Sequence, residues 1–492
     1  MNVICLTAVL ILSVISAAGQ TSAADLILIN ANIRTMDKAN PKAEAIAVAE
    51  GRIIAVGTTK TIRAFAGKTT TVIDAQGKLV LPGFNDAHVH FMSIGNLFSS
   101  IDLSDAKTEA DVISRFEKFA RYLPKGRWIL GGKLDPAIVI DRSKVDAATP
   151  DNPVFVFRGD AKSAFANRAA LIAAKIDEKS LSDGILSGES IAALQRVVPV
   201  NHVRDWMAIA ETASNYAASF GITSVQDTHS DDMASVYREL NKAGKLKVRI
   251  YDCVALSNWA RLAAVGSKAA SGDAMVRTGC LKGSFDEEED TSTITSDIAG
   301  ADKAGLQVLV HANGPAANSS AHAAFENAVK ANGGRDSRFR IEHAHNFKPA
   351  DLHRFARSSM IASMQPNLFF AEGSGISDDL RKLWDGGAKL AFGSDAAIKD
   401  IDPILGIYAA VNAGGKRSLT VDEAVYAYTL GAAYAEFQEK EKGSIEVGKL
   451  ADLTILSDDI YEILTEKLRD VKVLKTILSG TVVFEASSAK SK

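Results

Sequence analysis

Along the chain the spacing of hydrophobic positions changes from every second residue to every third or fourth, and then back. Between residues 25 and 80 the runs DLILINANI, AIAVAEGRIIAVG and TVIDAQGKLVL alternate apolar and polar positions. Side chains alternate across a strand, so this spacing predicts half-buried β-hairpins, with Glu50 and Gly51 at one of the turns. The same spacing returns in GSIEVGKLADLTIL at 443–456 and VLKTILSGTVVFEA at 473–486, ahead of a polar tail at 488–492. We therefore expect a small β-sandwich domain assembled from both ends of the chain, residues 25–80 and 441–487.

The middle, residues 81–440, alternates amphipathic helical stretches such as DWMAIAETASNYAASFG with short β-branched runs. That alternation is the pattern of βα units around a parallel sheet. Candidate strands are LVLPGFNDAHVH (79–90), GITSVQDTH (221–229), KVRIYDCVAL (247–256), RTGCLKGSFD (277–286), LQVLVHANG (306–314), FRIEHA (339–344), MIASMQPN (360–367) and KLAFGSDAA (389–397). Eight such runs predict an α/β fold, a closed (β/α)8 TIM-type barrel in preference to an open sheet. Residues 102–200, after the first strand, are too many for one crossover and predict an inserted subdomain or lid.

Composition narrows the function. Of 492 residues, 47% are hydrophobic and 23% charged, which describes a folded globular chain. A formal net charge of −3 supplies no basic field, so nucleic acid and anionic membrane are excluded as main partners and a small-molecule substrate is expected. A homo-oligomer is left open. The first 24 residues hold an apolar run from Val3 to Ala18 followed by small residues, the pattern of a signal peptide, which predicts a secreted or periplasmic protein. No Lys or Arg precedes that run, so an uncleaved anchor is the alternative. Cys5 lies in this leader. Cys253 and Cys280 fall on neighbouring predicted strands and are read as buried apolar filler, not a disulfide.

The chemistry begins at PGFNDAHVH. His88 and His90, two apart in a strand, point to one face, which is chelating geometry for a transition metal. Such a pair alone is more often satisfied by backbone carbonyls. Barrel enzymes, however, keep reactive groups at the C-terminal strand ends. There the sequence places His88 and His90, then Lys282, His311, His343 and Asp395. Together they are the donor set of a one- or two-metal hydrolytic centre with coordination left open for water. Asp227 and His229 close the second strand and fit either substrate contact or a capped turn. His202, His322 and His353 fall on predicted helices and are read as surface residues.

PGFNDAHVH, the lysine of CLKGSFD, VLVHANG, RIEHAH, ASMQPN, FGSDAA and KGSIEVGKLADLTIL resemble, in order, the amidohydrolase superfamily, specifically its amidohydrolase family 3 branch. The resemblance spans nearly the whole chain. It implies a metal-bearing barrel with a β-sandwich from both termini. It also implies two divalent ions, zinc first among them. His88 and His90 would hold the more buried ion and His311 and His343 the other, with Lys282 carboxylated on its amine to bridge them. Asp395 would be both a ligand and the catalytic proton carrier. Hydroxide formed on the metal would then attack a carbonyl and release the nitrogen of an amide other than a peptide bond.

Other positions depart from the family pattern. GGKLD at 131–135 stands where G-x-G-W-D is usual, keeping Asp135. DAKSAFAN at 160–167 replaces D-G-H-S-x-W-x-N, keeping Asp160 and Asn167, and Asp286-Glu287 replaces D-G. Gly314-Pro315-Ala316 stands for G-D-R. With Asp86 and His345 beside the ligands, Asp135, Asp160, Asn167 and Asp286 are candidate substrate-contacting or ligand-orienting residues. Intact ligands with altered pocket signatures predict a hydrolase with an unusual substrate. Two alternatives stay open: a secreted metal-binding or regulatory protein without turnover, and hydrolysis of an ester, lactone or phosphoester.

Overall fold

The computed structural model describes residues 23–486, apart from 161, 178, 180, 200–205, 229–231, 286–290, 358–359, 370–377, 397–399 and 415–417. The signal-peptide reading, His202, His229, Asp286 and the acidic run at 286–290 lie outside the described residues. Among the described residues no helix is long and apolar enough to cross a membrane.

All eight expected strand runs form one sheet: β1 (Phe84–Val89), β2 (Ile222–Thr228), β3 (Arg249–Ala255), β4 (Val276–Ser284), β5 (Gln307–Asn313), β6 (Arg340–His345), β7 (Ile361–Met364) and β8 (Lys389–Phe392). Each pairs in parallel with the next. Just beyond β8 the barrel closes onto β1, where Asp395 N donates to His88 O at 2.8 Å and His90 N to Ala396 O at 2.6 Å. Helices follow the strands outside, as expected for apolar residues spaced three or four apart. In Trp206–Ala218, Ile209, Ala210, Ala213 and Ala217 are buried on one side.

The single run read at 79–90 is two strands. Leu79–Pro82 belongs to the sandwich and β1 to the barrel, and between them Gly83 N donates to Asp452 O at 2.9 Å. Proline lacks the ladder donor, so Pro82-Gly83 is where pairing can change partners. Leu79–Pro82 pairs antiparallel with Leu453–Leu456, so one six-stranded sheet contains strands from both ends of the chain. It faces a four-stranded sheet formed by Ala24–Ile29, Ala45–Ala49, Arg52–Gly57 and Ala66–Asp74. Leu26, Val48, Val80, Leu453 and Ile477 share the core between them. Glu50 and Gly51 turn the hairpin with φ of 51° and 73°.

The insert after β1 forms a five-stranded sheet from Ile101–Asp102 to Ile185–Ser187. Its own core contains Trp128, Phe155, Leu171, Leu186 and Leu194.

Two readings are corrected. Cys253 and Cys280 form a disulfide, not apolar filler, because the parallel register sets them directly opposite with Cα atoms 4.4 Å apart. His322 is buried, not on the surface. Its helix, Pro315–Asn332, turns the ring under Phe355, edge to face at 4.5 Å, with Nδ1 3.1 Å from Met360 Sδ. His353 is exposed, as read.

Candidate metal centre

His88, His90, Lys282, His311, His343 and Asp395 line one cavity of about 530 Å³ at the C-terminal ends of the strands. The donor atoms of His88, His90 and Asp395 all lie within 4.8 Å of one another. Asp395 Oδ1 is 3.5 Å from His88 Nε2 and 3.2 Å from His90 Nε2. It is buried yet receives no hydrogen bond. An orphaned carboxylate oxygen between two imidazole nitrogens fits a bound cation, since a buried acceptor otherwise loses free energy. The rings of His311 and His343 stand 4.3 Å apart and those of His88 and His343 5.1 Å apart.

The Nδ1 atoms of His88 and His343 are committed. His88 Nδ1 lies 2.5 Å from Glu342 Oε2, and His343 Nδ1 lies 2.7 Å from Gln365 Oε1. A carboxylate or amide oxygen accepts the proton of Nδ1, which puts the ring's lone pair on Nε2. Glu342 is in turn held by Arg340, whose Nε donates to Oε1 at 2.9 Å and whose Nη1 and Nη2 donate to Gln226 Oε1 and Ala87 O.

The electrostatics favour neutral rings at His88 and His343 and ionised carboxylates at Glu342 and Asp395. Burial first, then the Lys282 ammonium, lowers His88 to about 4, against the pull of Glu342. Burial, with His88 and Lys282, also holds His343 well below its ordinary value. Burial alone would raise Glu342, but Arg340, His88 and Lys282 keep its carboxyl well below the usual range. Asp395 is likewise kept low by His90, His88 and His343 despite burial. Burial brings the Lys282 amine down to about 8, although Glu342 and Asp395 favour its charge.

The backbone is bent to deliver these groups. His343 has φ of 74°, Ala344 43° and Asp395 56°, left-handed values that cost roughly 1–3 kcal/mol each and persist where the surroundings enforce them. This break in alternation lets adjacent residues Glu342 and His343 both serve the site. Sequence reasoning missed Glu342, Arg340 and Gln365. The signal for Arg340 and Glu342 was two opposite charges two apart in the run FRIEHA.

Of the remaining candidates, Asp86 is buried beside the cluster. Its Oδ1 accepts from the backbone N–H groups of His88 and Ser394, and its Oδ2 from Ser394 Oγ. It therefore fixes the closing turn, while Glu342 takes the ring proton. Burial raises the Asp86 carboxyl to about 7. His345 is buried on β6 and its carbonyl accepts from Asn318 Nδ2. The structure does not bring Asp135, Asp160 or Asn167 to the cavity. Asp135 and Asp160 are exposed and accept backbone N–H groups of their own turns. Asn167 is buried in the insert, where its Oδ1 caps helix Arg168–Ala173.

Comparison with known proteins agrees with this architecture. The profile of the Amidohydrolase family, Amidohydro_3, matches residues 71–484. Protein LONG AFTER FAR-RED 3 of Arabidopsis thaliana is 29% identical, covering 94% of this chain and 92% of its own. The N-substituted formamide deformylase of Arthrobacter pascens is 27% identical over 95% of this chain and 100% of its own. Among solved structures, an uncharacterized metal-dependent hydrolase from Pyrococcus furiosus matches with a TM-score of 0.64 at 24% identity, covering 89% of this chain and 100% of that one. With the profile matched over most of its length, the chain belongs to the amidohydrolase family, in its family 3 branch.

Proposed function

We propose that the protein is a metal-dependent hydrolase cleaving an amide-type C–N bond, outside peptide linkages, in a small molecule. The observation that carries this reading is the convergence of His88, His90 and the orphaned Asp395 Oδ1 in one cavity. His88, His90 and Asp395 would hold one divalent ion and His311 and His343 a second; zinc is the ion the family implies. Such ions supply Lewis acidity and bring the pKa of water towards ~7.

This chain's residues do the rest. His88 and His343, whose burial favours the neutral ring, are ligands without a prior deprotonation cost. Asp395, held as a carboxylate, takes the proton of the attacking water and delivers it to the departing nitrogen. An amine leaves poorly as an anion, so this delivery favours an amide over an ester. Burial, which lowers the Lys282 amine to about 8, favours the neutral amine that carboxylation by CO2 requires. The deformylase relative makes N-substituted formamides the first substrates to try.

We also propose export. The apolar leader and the Cys253–Cys280 bridge support it, since disulfides persist in oxidising compartments. Amino-terminal sequencing of the protein after expression in its source cells would expose an intact leader if this is wrong.

The functional test is hydrolysis of N-formyl, N-acetyl and cyclic amides by zinc-loaded protein. We expect turnover that a chelator abolishes, that zinc restores, and that falls by ~10³ in Asp395→Asn. Stoichiometric zinc without hydrolysis of any of these amides, or of matching esters and lactones, would instead identify a binding protein.

A further inference from the structure

Besides the six cluster residues, the cavity lining holds residues of the helix that follows β4. Helix Ser292–Lys303 directs Thr293, Ile294 and Asp297, spaced i, i+1 and i+4, towards the cavity. Ile294 and Leu256 close over Gly283, where a Cβ would meet Leu256 Cδ2 at 3.0 Å and Ile294 Cδ1 at 3.1 Å. They form an apolar saddle next to Lys282. The same lining includes Asp297, whose Oδ1 accepts from the Trp259 indole Nε1 at 2.8 Å. That indole lies flat against Gly300, one turn along the same helix, leaving it little room to swing. One carboxylate oxygen is thus anchored, and among the described residues no hydrogen bond reaches the other.

The charge pattern is asymmetric. Among the described lining residues Asp297 is the one ionisable group outside the six-residue cluster, and no Lys or Arg other than Lys282 shares the lining. A carboxyl group held in a cavity wall that also carries apolar side chains selects ligands by charge.

We propose that Asp297 is a specificity residue. It receives an ammonium or guanidinium group at the end of the substrate remote from the scissile amide, so the preferred substrates are cationic amides with a short apolar spacer. This rests on the hydrolase reading above for its chemistry and on the cavity alone for its charge preference.

The test compares N-formyl-1,4-diaminobutane with N-formylpentylamine, which match in shape and differ in one charge. Wild-type, zinc-loaded protein is expected to favour the cation by about tenfold or more in kcat/KM, mainly through KM. In Asp297→Asn that preference collapses, Asp297→Glu keeps part of it, and Trp259→Phe, which removes only the anchor, falls between. Equal treatment of the two compounds by wild type, or an unchanged preference in Asp297→Asn, overturns the proposal. If neither compound is hydrolysed, calorimetry with the same pair decides. Tighter binding of the cation by wild type but not by Asp297→Asn supports the assignment even though the hydrolase reading has failed for formamides, and equal binding sinks it.

Discussion

His88 can offer Nε2 to a cation because Glu342 occupies its other nitrogen, and Glu342 stays ionised because Arg340 lies against it. Glu342→Gln keeps the shape and removes the charge. We expect zinc affinity and kcat/KM to fall about 10- to 100-fold, with the far-ultraviolet circular dichroism unchanged. Wild-type zinc affinity in that variant would show that the contact orients nothing. Gly393 is a second sensitive position. A Cβ there would strike the His88 backbone N and sit 2.8 Å from Asp86 Oδ1, so Gly393→Ala must move the strand that carries His88. We expect at least a ~10-fold loss of activity and a lower Tm, because backbone cannot yield as a flexible side chain does. Five of the six cavity residues were legible because each ends a strand run and the barrel rule assigns strand ends to chemistry; Lys282 lies inside the fourth run and was read together with them. Glu342 was not, because strict alternation turns it away from His343, and only the positive φ at His343 and Ala344 brings both to the site. Asp135 and Asp160 looked functional through motif position alone, whereas their carboxylates serve local turns.

Strand positions were legible from apolar runs of the right length; their partners were not. The run at 79–90 carried one hydrophobic pattern through Pro82-Gly83, so its division between sandwich and barrel depended on pairing that periodicity does not encode. The Cys253–Cys280 bridge depended on register in the same way: a shift of one residue would turn the thiols to opposite faces. A helix end supplies a prediction at this scale. Asp402 caps Pro403–Val411, accepting from Ile404 N at 2.8 Å. Burial, with Asp400 adding, raises its carboxyl to about 6 despite the hydrogen bonds from Ile404 and Leu405. A folded value above the unfolded ~3.9 means the folded chain binds this proton more tightly. Its contribution to stability is therefore most favourable below pH 4, declines as pH rises from about 4 to about 6, and is a constant penalty above. Asparagine keeps the cap and removes the charge. Asp402→Asn should gain about 1–2 kcal/mol at pH 7.5, after discounting for partial exposure, and nothing near pH 4. Calorimetric scans at both pH values would refute this by showing the same change in Tm at each.

At the scale of the molecule, the sandwich was legible as two period-two ends and its docking on the barrel was not, because the contacts join residues about two hundred positions apart. Arg249, the first residue of β3, is buried and gives Nε and Nη2 to the two oxygens of Asp452 at 2.7 and 2.8 Å, and Nη2 also to Ser479 Oγ at 2.7 Å. Close by, Glu436 is buried among Arg277, Lys442 and Asn85, tying the segment after the last barrel helix back to β1 and β4. Burial would raise both carboxyls, yet the facing cations hold Asp452 and Glu436 below their ordinary values. Groups depressed in this way stabilise the fold at pH above the unfolded ~4, and that stabilisation is lost as pH falls through the lower folded value. The barrel and sandwich should therefore loosen in acid, below about pH 4. Truncating one partner tests this directly. Asp452→Ala leaves Arg249 buried without its counter-charge and should cost about 3–5 kcal/mol in urea unfolding at pH 7. Arg249→Met with Asp452→Leu, which removes both charges and fills the space, should recover most of that loss and flatten the acid limb of the stability curve. If the double replacement were as damaging as the single one, the joint would depend on the shape of the hydrogen-bonded pair and not on the penalty of an orphaned charge.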